Sequence, residues 1–317
     1  MARAGVDLGG TKIQVVVVDE NHAVTGQARV PTPHAGGPEA VADAIASAVR
    51  TAAEGAATAV ADLAGVGVGS PGTIDPEAGT IAHARNVQES WSAPYPMAAT
   101  LQAALGPRIA LGNDVRVATQ AEARLGAGRP YRSFLGVFWG TGVGGCLVID
   151  GRPFVGRGAA GEIGHTVVHL DGALCTCGRR GCVEAYAGRA AMEIRARRKI
   201  ERGADSHLLQ IMRRHDRPRM TSGVWERALA HDDELATHLV RRAVHALSAG
   251  IASAVNLLDV EAIVLGGGMG VRLAGDWLPE IEREMAPHLF VPERPPALLP
   301  AALGDLGGAV GASLLVA

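Results

Sequence analysis

A surplus of charge is what this 317-residue chain most plainly lacks. It has 30 Lys and Arg against 32 Asp and Glu, a formal net charge of −2. Nothing in that balance recruits a nucleic acid or an acidic membrane surface. No apolar run reaches the roughly 20 residues that a bilayer-spanning helix needs. The opening Ala2-Arg3-Ala4-Gly5-Val6-Asp7 puts an acid where the apolar core of a signal peptide would run, so a cytoplasmic protein is expected. Cysteine is scarce, with four residues in all. None of the glycine turns fits the G-x-x-x-x-G-K-[ST] loop or the strand, G-x-G-x-x-G, helix order of a dinucleotide fold.

What the chain has in plenty is glycine, 42 residues, clustered after apolar runs and without a period. Collagen-like and low-complexity readings therefore fail. Hydrophobic content of 48% is enough for buried cores, and the length suits about two domains. Ala4–Leu8 and Ile13–Asp19 around Gly9-Gly10-Thr11-Lys12 predict a hairpin. A helix is predicted over 38–54, opened by Pro38. Strands are predicted at 65–70, 109–112, 133–139 and 262–265, and helices at 115–125, 183–199, 234–258 and, closing the chain, 305–316. Strand, glycine turn, strand occurs at 4–18 and again at 134–149, an internal duplication that suggests two similar α/β domains. Ligands of such folds bind outside the carboxyl ends of the strands.

Three of the four cysteines fall in Cys175-Thr176-Cys177-Gly178-Arg179-Arg180-Gly181-Cys182, with His165 ten positions upstream in Gly161-Glu162-Ile163-Gly164-His165. Cys175 and Cys177 are poorly spaced for an unstrained disulfide, and clustered cytosolic cysteines more often bind metal. Three thiols and one imidazole complete a tetrahedral zinc set, and a closed set is a structural one.

Glycine turns after strands expose backbone amides to phosphate oxygens. Asp7-Leu8-Gly9-Gly10-Thr11-Lys12 adds a hydroxyl, an ammonium and a carboxylate able to reach a hydrated Mg2+. Gly140-Thr141-Gly142 offers a second phosphate turn and Gly266-Gly267-Gly268 a third contact, toward a nucleoside. Each alone reads equally well as a tight turn; the three in this order are more specific. Asn113-Asp114 ends a strand and opens a helix. Asp114 is either that helix's N-cap or a carboxylate that accepts a proton from an attacking hydroxyl.

These motifs, with Ser70-Pro71-Gly72-Thr73-Ile74-Asp75 and Glu184, resemble over essentially the whole chain the ROK (repressor, ORF, kinase) family, most closely its bacterial ATP-dependent glucokinases. The resemblance implies the actin-like ATPase (ribonuclease H-like) α/β fold, two domains around a cleft. A small domain is expected over 1–115, completed by 305–317, and a larger one over 116–304. The resemblance makes Asp114 the general base. It makes Asn86, Asn113, Glu162, His165 and Glu184 partners of sugar hydroxyls, with His165 shared between sugar and zinc. ATP with Mg2+ is the implied donor, glucose the implied acceptor, and a homodimer or homotetramer the implied assembly. Kinases of N-acetylglucosamine, N-acetylmannosamine or allose, and users of polyphosphate, are the alternatives. A sugar-responsive regulator would carry a DNA-binding module ahead of Asp7, where this sequence has only six residues. Three positions depart from the family's commoner pattern: the neighbourhood of Asn86, Cys146 in place of a glycine, and Gly188 after Glu184-Ala185-Tyr186-Ala187. Cys146 is expected to be a small buried hydrophobe.

Overall fold

The run Ile13-Gln14-Val15-Val16-Val17-Val18 is apolar on both faces, so it needs cover on both sides. The computed structural model, which describes residues 1–84, 87, 88 and 90–317, provides that cover. The chain divides into two units, Met1–Gly126 with Ala302–Ala317, and Ala127–Ala301. No helix among the described residues is long and apolar enough to cross a membrane.

Unit one is built from β1 (Arg3–Leu8), β2 (Lys12–Val18), β3 (Val24–Pro31), α1 (Gly37–Gly55), β4 (Val66–Ser70), the small hairpin β5 (Thr73–Asp75) and β6 (Thr80–Ala82), α2 (Met97–Leu105), β7 (Ile109–Asn113) and α3 (Asp114–Leu125). Its sheet runs β3-β2-β1-β4-β7. The first three strands pair antiparallel, while β4 and β7 join parallel to β1. Side chains alternate across a strand, and the two faces of β2 go to different cores. Ile13, Val15 and Val17 pack with Val41, Ile45 and Val49 of α1, whereas Val16 and Val18 meet Ala309 and Val310 of the C-terminal helix Gly307–Ser313. That helix lies so close that a Cβ at Gly5 would overlap the carbonyl of Ala309, and one at Gly67 that of Ala312. The glycines inside these strands are therefore packing requirements.

Unit two repeats the plan with β8 (Phe134–Trp139), β9 (Val143–Ile149), β10 (Arg152–Phe154), α4 (Glu184–Ala187), α5 (Arg189–Glu201), α6 (Leu208–Arg214), α7 (Ser222–Ala230), α8 (Glu234–Leu258), β11 (Ala262–Gly266), α9 (Gly267–Met285) and β12 (Ala297–Pro300). The sheet order β10-β9-β8-β11-β12 matches that of unit one, antiparallel for three strands and then parallel. The duplication seen at 4–18 and 134–149 is thus β1–β2 and β8–β9. Helix α8 buries Leu235, Leu239, Val240, Ala243, Leu247 and Ile251 along one stripe. Its N-cap, Asp233, accepts from the amide of Ala236 at 2.8 Å.

Three elements differ from the sequence expectation. The helix expected at 183–199 is two, α4 and α5, because Gly188 is extended (φ −56°, ψ 125°). The closing helix is an α-helix over Gly307–Ser313 between two single 3-10 turns. Gly267 and Gly268 are the first turn of α9, not a loop. The division between the units also follows α3 rather than preceding it at 115. Helix α3 rests on the C-terminal helix, where a Cβ at Gly311 would overlap the carbonyl of Val117.

Candidate functional site

In unit one the sheet's first turn and the end of β7 carry the polar side chains. The β1–β2 turn is pinned by the Gly9 amide on the Lys12 carbonyl at 3.0 Å and by the Thr32 hydroxyl on the Gly9 carbonyl at 2.7 Å. Lys12 Nζ lies 4.0 Å from Asp305 Oδ2, beside Asp7. Burial pushes the Asp7 carboxyl above the ordinary range; Lys12 opposes that and Asp305 adds to it. Asp305, drawn in from the far end of the chain, is a neighbour that sequence reading did not assign to this turn.

A carboxyl raised by folding favours the native state when protonated. Its contribution is present below the unfolded value and lost as pH rises through the folded one. At neutral pH Asp7 therefore costs stability, since the unfolded carboxyl ionises freely and the folded one does not. Asp7→Asn is expected to leave the melting midpoint of the free protein unchanged or to raise it by about 2 °C. A drop of more than about 4 °C would show instead that the ionised carboxylate is held favourably.

The capping role that the sequence left open falls to Asn113 and not to Asp114. Asn113 is the N-cap of α3, its Oδ1 accepting from the amide of Arg116 at 3.1 Å. Asp114 is the first helical residue. Its Oδ1 accepts from Asn113 Nδ2 at 3.0 Å and from the amide of Val115 at 2.9 Å. The carboxylate is thus oriented by its neighbour in a helix's first turn, where negative charge is favoured. Asn86 lies outside the described residues.

In unit two, Gly161-Glu162-Ile163-Gly164-His165 lies directly on β9. A Cβ at Gly164 would overlap the carbonyl of Val143. The His165 amide closes a tight turn on the Glu162 carbonyl at 3.0 Å. His165, Cys175, Cys177 and Cys182 bring their ligand atoms within 4.8 Å of one another. Cys177 Sγ and Cys182 Sγ are 3.7 Å apart, and Cys175 Sγ is 3.8 Å from His165 Nδ1. Tetrahedral zinc with Zn–S of about 2.3 Å separates two sulfurs by about 3.8 Å, so the donor set fits. With Nδ1 on the thiol side, the second ring nitrogen of His165 remains for another partner. Burial pushes the Cys175 thiol up to about 12. At Cys177 burial acts against its hydrogen bonds with Arg179 and the other two thiols, and the bonds win, holding it down at about 6. Cys146, buried on β9, lies outside this cluster.

Glu184 ties the cluster to the second glycine turn. Its Oε1 accepts from the Thr176 hydroxyl at 3.1 Å, and its Oε2 from the Val143 amide at 2.9 Å. The Gly140-Thr141-Gly142 turn is also gripped from α5, by the amides of Arg189 on Gly140 O at 3.1 Å and of Ala190 on Thr141 O at 3.0 Å. Gly188 fits here, since a Cβ would sit 2.8 Å from the Glu184 carbonyl and 3.4 Å from that of Thr141. Its departure from the commoner pattern therefore bears on the glycine turn. The third run joins the second: a Cβ at Gly267 would meet the Trp139 carbonyl at 2.5 Å, just before Gly140, and one at Gly268 would meet Ser222 Oγ at 3.2 Å.

The profile of a family described as the ROK family matches residues 3–317. The chain is 32% identical over 314 residues to a glucokinase of Streptomyces coelicolor, covering 98% of this chain and 95% of that one. It is 31% identical over 318 residues to an N-acetylmannosamine kinase of Haemophilus influenzae, covering 98% and 94%. Among solved structures it is similar to a ROK family glucokinase from Streptomyces griseus in complex with glucose and AMPPNP, with TM-score 0.84, 32% identity and 99% of each chain covered.

Proposed function

The chain belongs to the ROK family, and from that premise we propose that it transfers a phosphoryl group from ATP to a hexose, with glucose as acceptor and glucose 6-phosphate as product. The observation that carries this reading is the oriented carboxylate of Asp114, fixed by Asn113 Nδ2 and the Val115 amide in a chain similar along its whole length to glucokinases. Asp114 accepts the proton of the attacking hydroxyl, and Asn113 holds it in place. Glu162, Glu184 and His165 are sugar-hydroxyl partners in this reading. Gly9 to Lys12, Gly140 to Gly142 and Gly266 to Gly268 receive the nucleotide, with their amides toward phosphate oxygens. Asp7, whose buried carboxyl favours a nearby cation, is the residue to hold hydrated Mg2+, which neutralises phosphate charge as the nucleotide binds. Phosphoryl transfer asks for positioning and electrostatics more than covalent chemistry, and these groups supply both. Zinc in the Cys175, Cys177, Cys182 and His165 cluster is structural in this reading.

The similarity to an N-acetylmannosamine kinase favours a second reading, in which the acceptor is an N-acetylhexosamine. One kinetic panel separates the two. Glucose, mannose, allose, N-acetylglucosamine and N-acetylmannosamine are each assayed with ATP and with polyphosphate. Glucose with ATP is expected to have the highest kcat/KM, by at least about tenfold, the scale on which one lost or gained substituent contact discriminates. A higher value for an N-acetylhexosamine moves the assignment to the second reading. Turnover of no sugar with either donor removes both.

A further inference from the structure

Arg189 is an almost fully buried cation, 8% exposed, at the first position of α5. Neither guanidinium contact lies in the metal cluster or among the sugar partners. One nitrogen donates to the carbonyl of Met220 at 2.8 Å, and the other to the hydroxyl oxygen of Thr141 at 2.8 Å. Glu193, also buried, accepts from the Met220 amide at 3.0 Å, so the backbone of Met220 is held at both its amide and its carbonyl. Two residues on, Ser222 faces Gly268. Arg189 thus joins the second glycine turn to the segment beside the third, in a part of unit two where α5 and α7 begin.

The chemistry of the Thr141 contact is directional. A hydroxyl has one proton to give and two lone pairs. With Arg189 donating to its oxygen, the proton of Thr141 is turned outward, and a charged donor on the oxygen makes that proton a better one to give. Thr141 is itself exposed, so that proton is open to solvent and to a ligand. We propose that Arg189 is a positioning residue for the phosphoryl donor, fixing the Thr141 hydroxyl as a hydrogen-bond donor to a nucleotide phosphate. The inference rests on the reading of Gly140-Thr141-Gly142 as a phosphate turn.

The test is a double-mutant cycle read by calorimetry with a non-hydrolysable ATP analogue, alongside glucose binding. Thr141→Ala and Arg189→Lys are each expected to weaken nucleotide binding about tenfold, the scale of one charge-linked hydrogen bond. The double variant is expected to be no worse than Thr141→Ala, within about twofold, because both changes remove the same contact. Glucose affinity is expected to stay within about twofold of wild type in all three. If Arg189→Lys does not fold, as judged by circular dichroism, Arg189→Met, of similar volume and uncharged, takes its place. Losses that multiply in the double variant would make Arg189 a general support of the fold and overturn the proposal, as would failure of both replacements to fold. Unchanged nucleotide affinity in Thr141→Ala would overturn the phosphate-turn reading first, and the positioning role with it.

Discussion

Replacing Asp114 by alanine is expected to lower kcat at least about a hundredfold while leaving glucose affinity within about threefold of wild type, the signature of a lost general base. The geometry makes this specific. Oδ1 is held at 3.0 Å by Asn113 Nδ2 and at 2.9 Å by the Val115 amide, so the carboxylate cannot rotate freely. Asp114→Asn keeps the shape and removes the ability to accept a proton, so it is expected to lose nearly as much. Asn113→Ala removes the orienting donor and the cap of α3 together. It is expected to cost about tenfold in kcat and about 1 kcal/mol in stability, the usual worth of an N-cap. The readouts are steady-state kinetics, glucose binding by calorimetry and thermal unfolding. An Asp114→Ala enzyme within about tenfold of wild-type kcat would leave the proton to another acceptor and place Asp114 among the binding residues only.

The parts of this site that were legible in the sequence are those whose partners are close in the chain or whose pattern is long. The three thiols fall within eight residues, so their convergence needed no knowledge of tertiary structure. Helix α8 runs over Glu234–Leu258 as its apolar period predicts, since 25 residues of one stripe leave little ambiguity. The break between α4 and α5 was not legible, because the apolar residues on either side of Gly188 stay in helical phase. What breaks the helix is tertiary: the amides of Arg189 and Ala190 turn to the carbonyls of Gly140 and Thr141. Helix α9 was hidden by its own start, as three glycines read as a breaker, yet Gly267 enters the helix from a left-handed conformation (φ 79°) packed on Trp139. Local sequence could also not decide which of two adjacent residues caps α3, since Asn and Asp are equally good caps. Asp305 beside Asp7 and Lys12, and Arg189 on Thr141, are contacts between distant segments, and no periodicity or spacing announces them.

Removing the metal is the second change expected to matter most, and its effect belongs on sugar binding. Purified protein is expected to contain about one zinc per chain by elemental analysis. Cys177→Ser, or exhaustive chelation, is expected to remove it and to raise the dissociation constant for glucose at least about tenfold, with a smaller change in nucleotide affinity. The expectation follows from what the cluster holds. Its histidine ends the Glu162–His165 turn, and its loop residue Thr176 donates to Glu184 at 3.1 Å. Three thiols packed this closely cannot all ionise without a cation, given a Cys175 pushed up to about 12 beside a Cys177 held down at about 6. A divalent metal held by these residues would take the place of the three thiol protons and tie four side chains together. Without it the loop loses its anchor, and Glu162, His165 and Glu184 lose their common frame. Asp114, whose orientation comes from Asn113 and Val115 in unit one, does not, so the loss should show in KM for the sugar more than in kcat. Cys146→Ser is the control, a cysteine outside the cluster that is expected to leave the zinc content unchanged. Metal lost with glucose affinity intact would detach the cluster from the sugar site, and no metal in the wild-type protein would return the thiols to a role in packing alone.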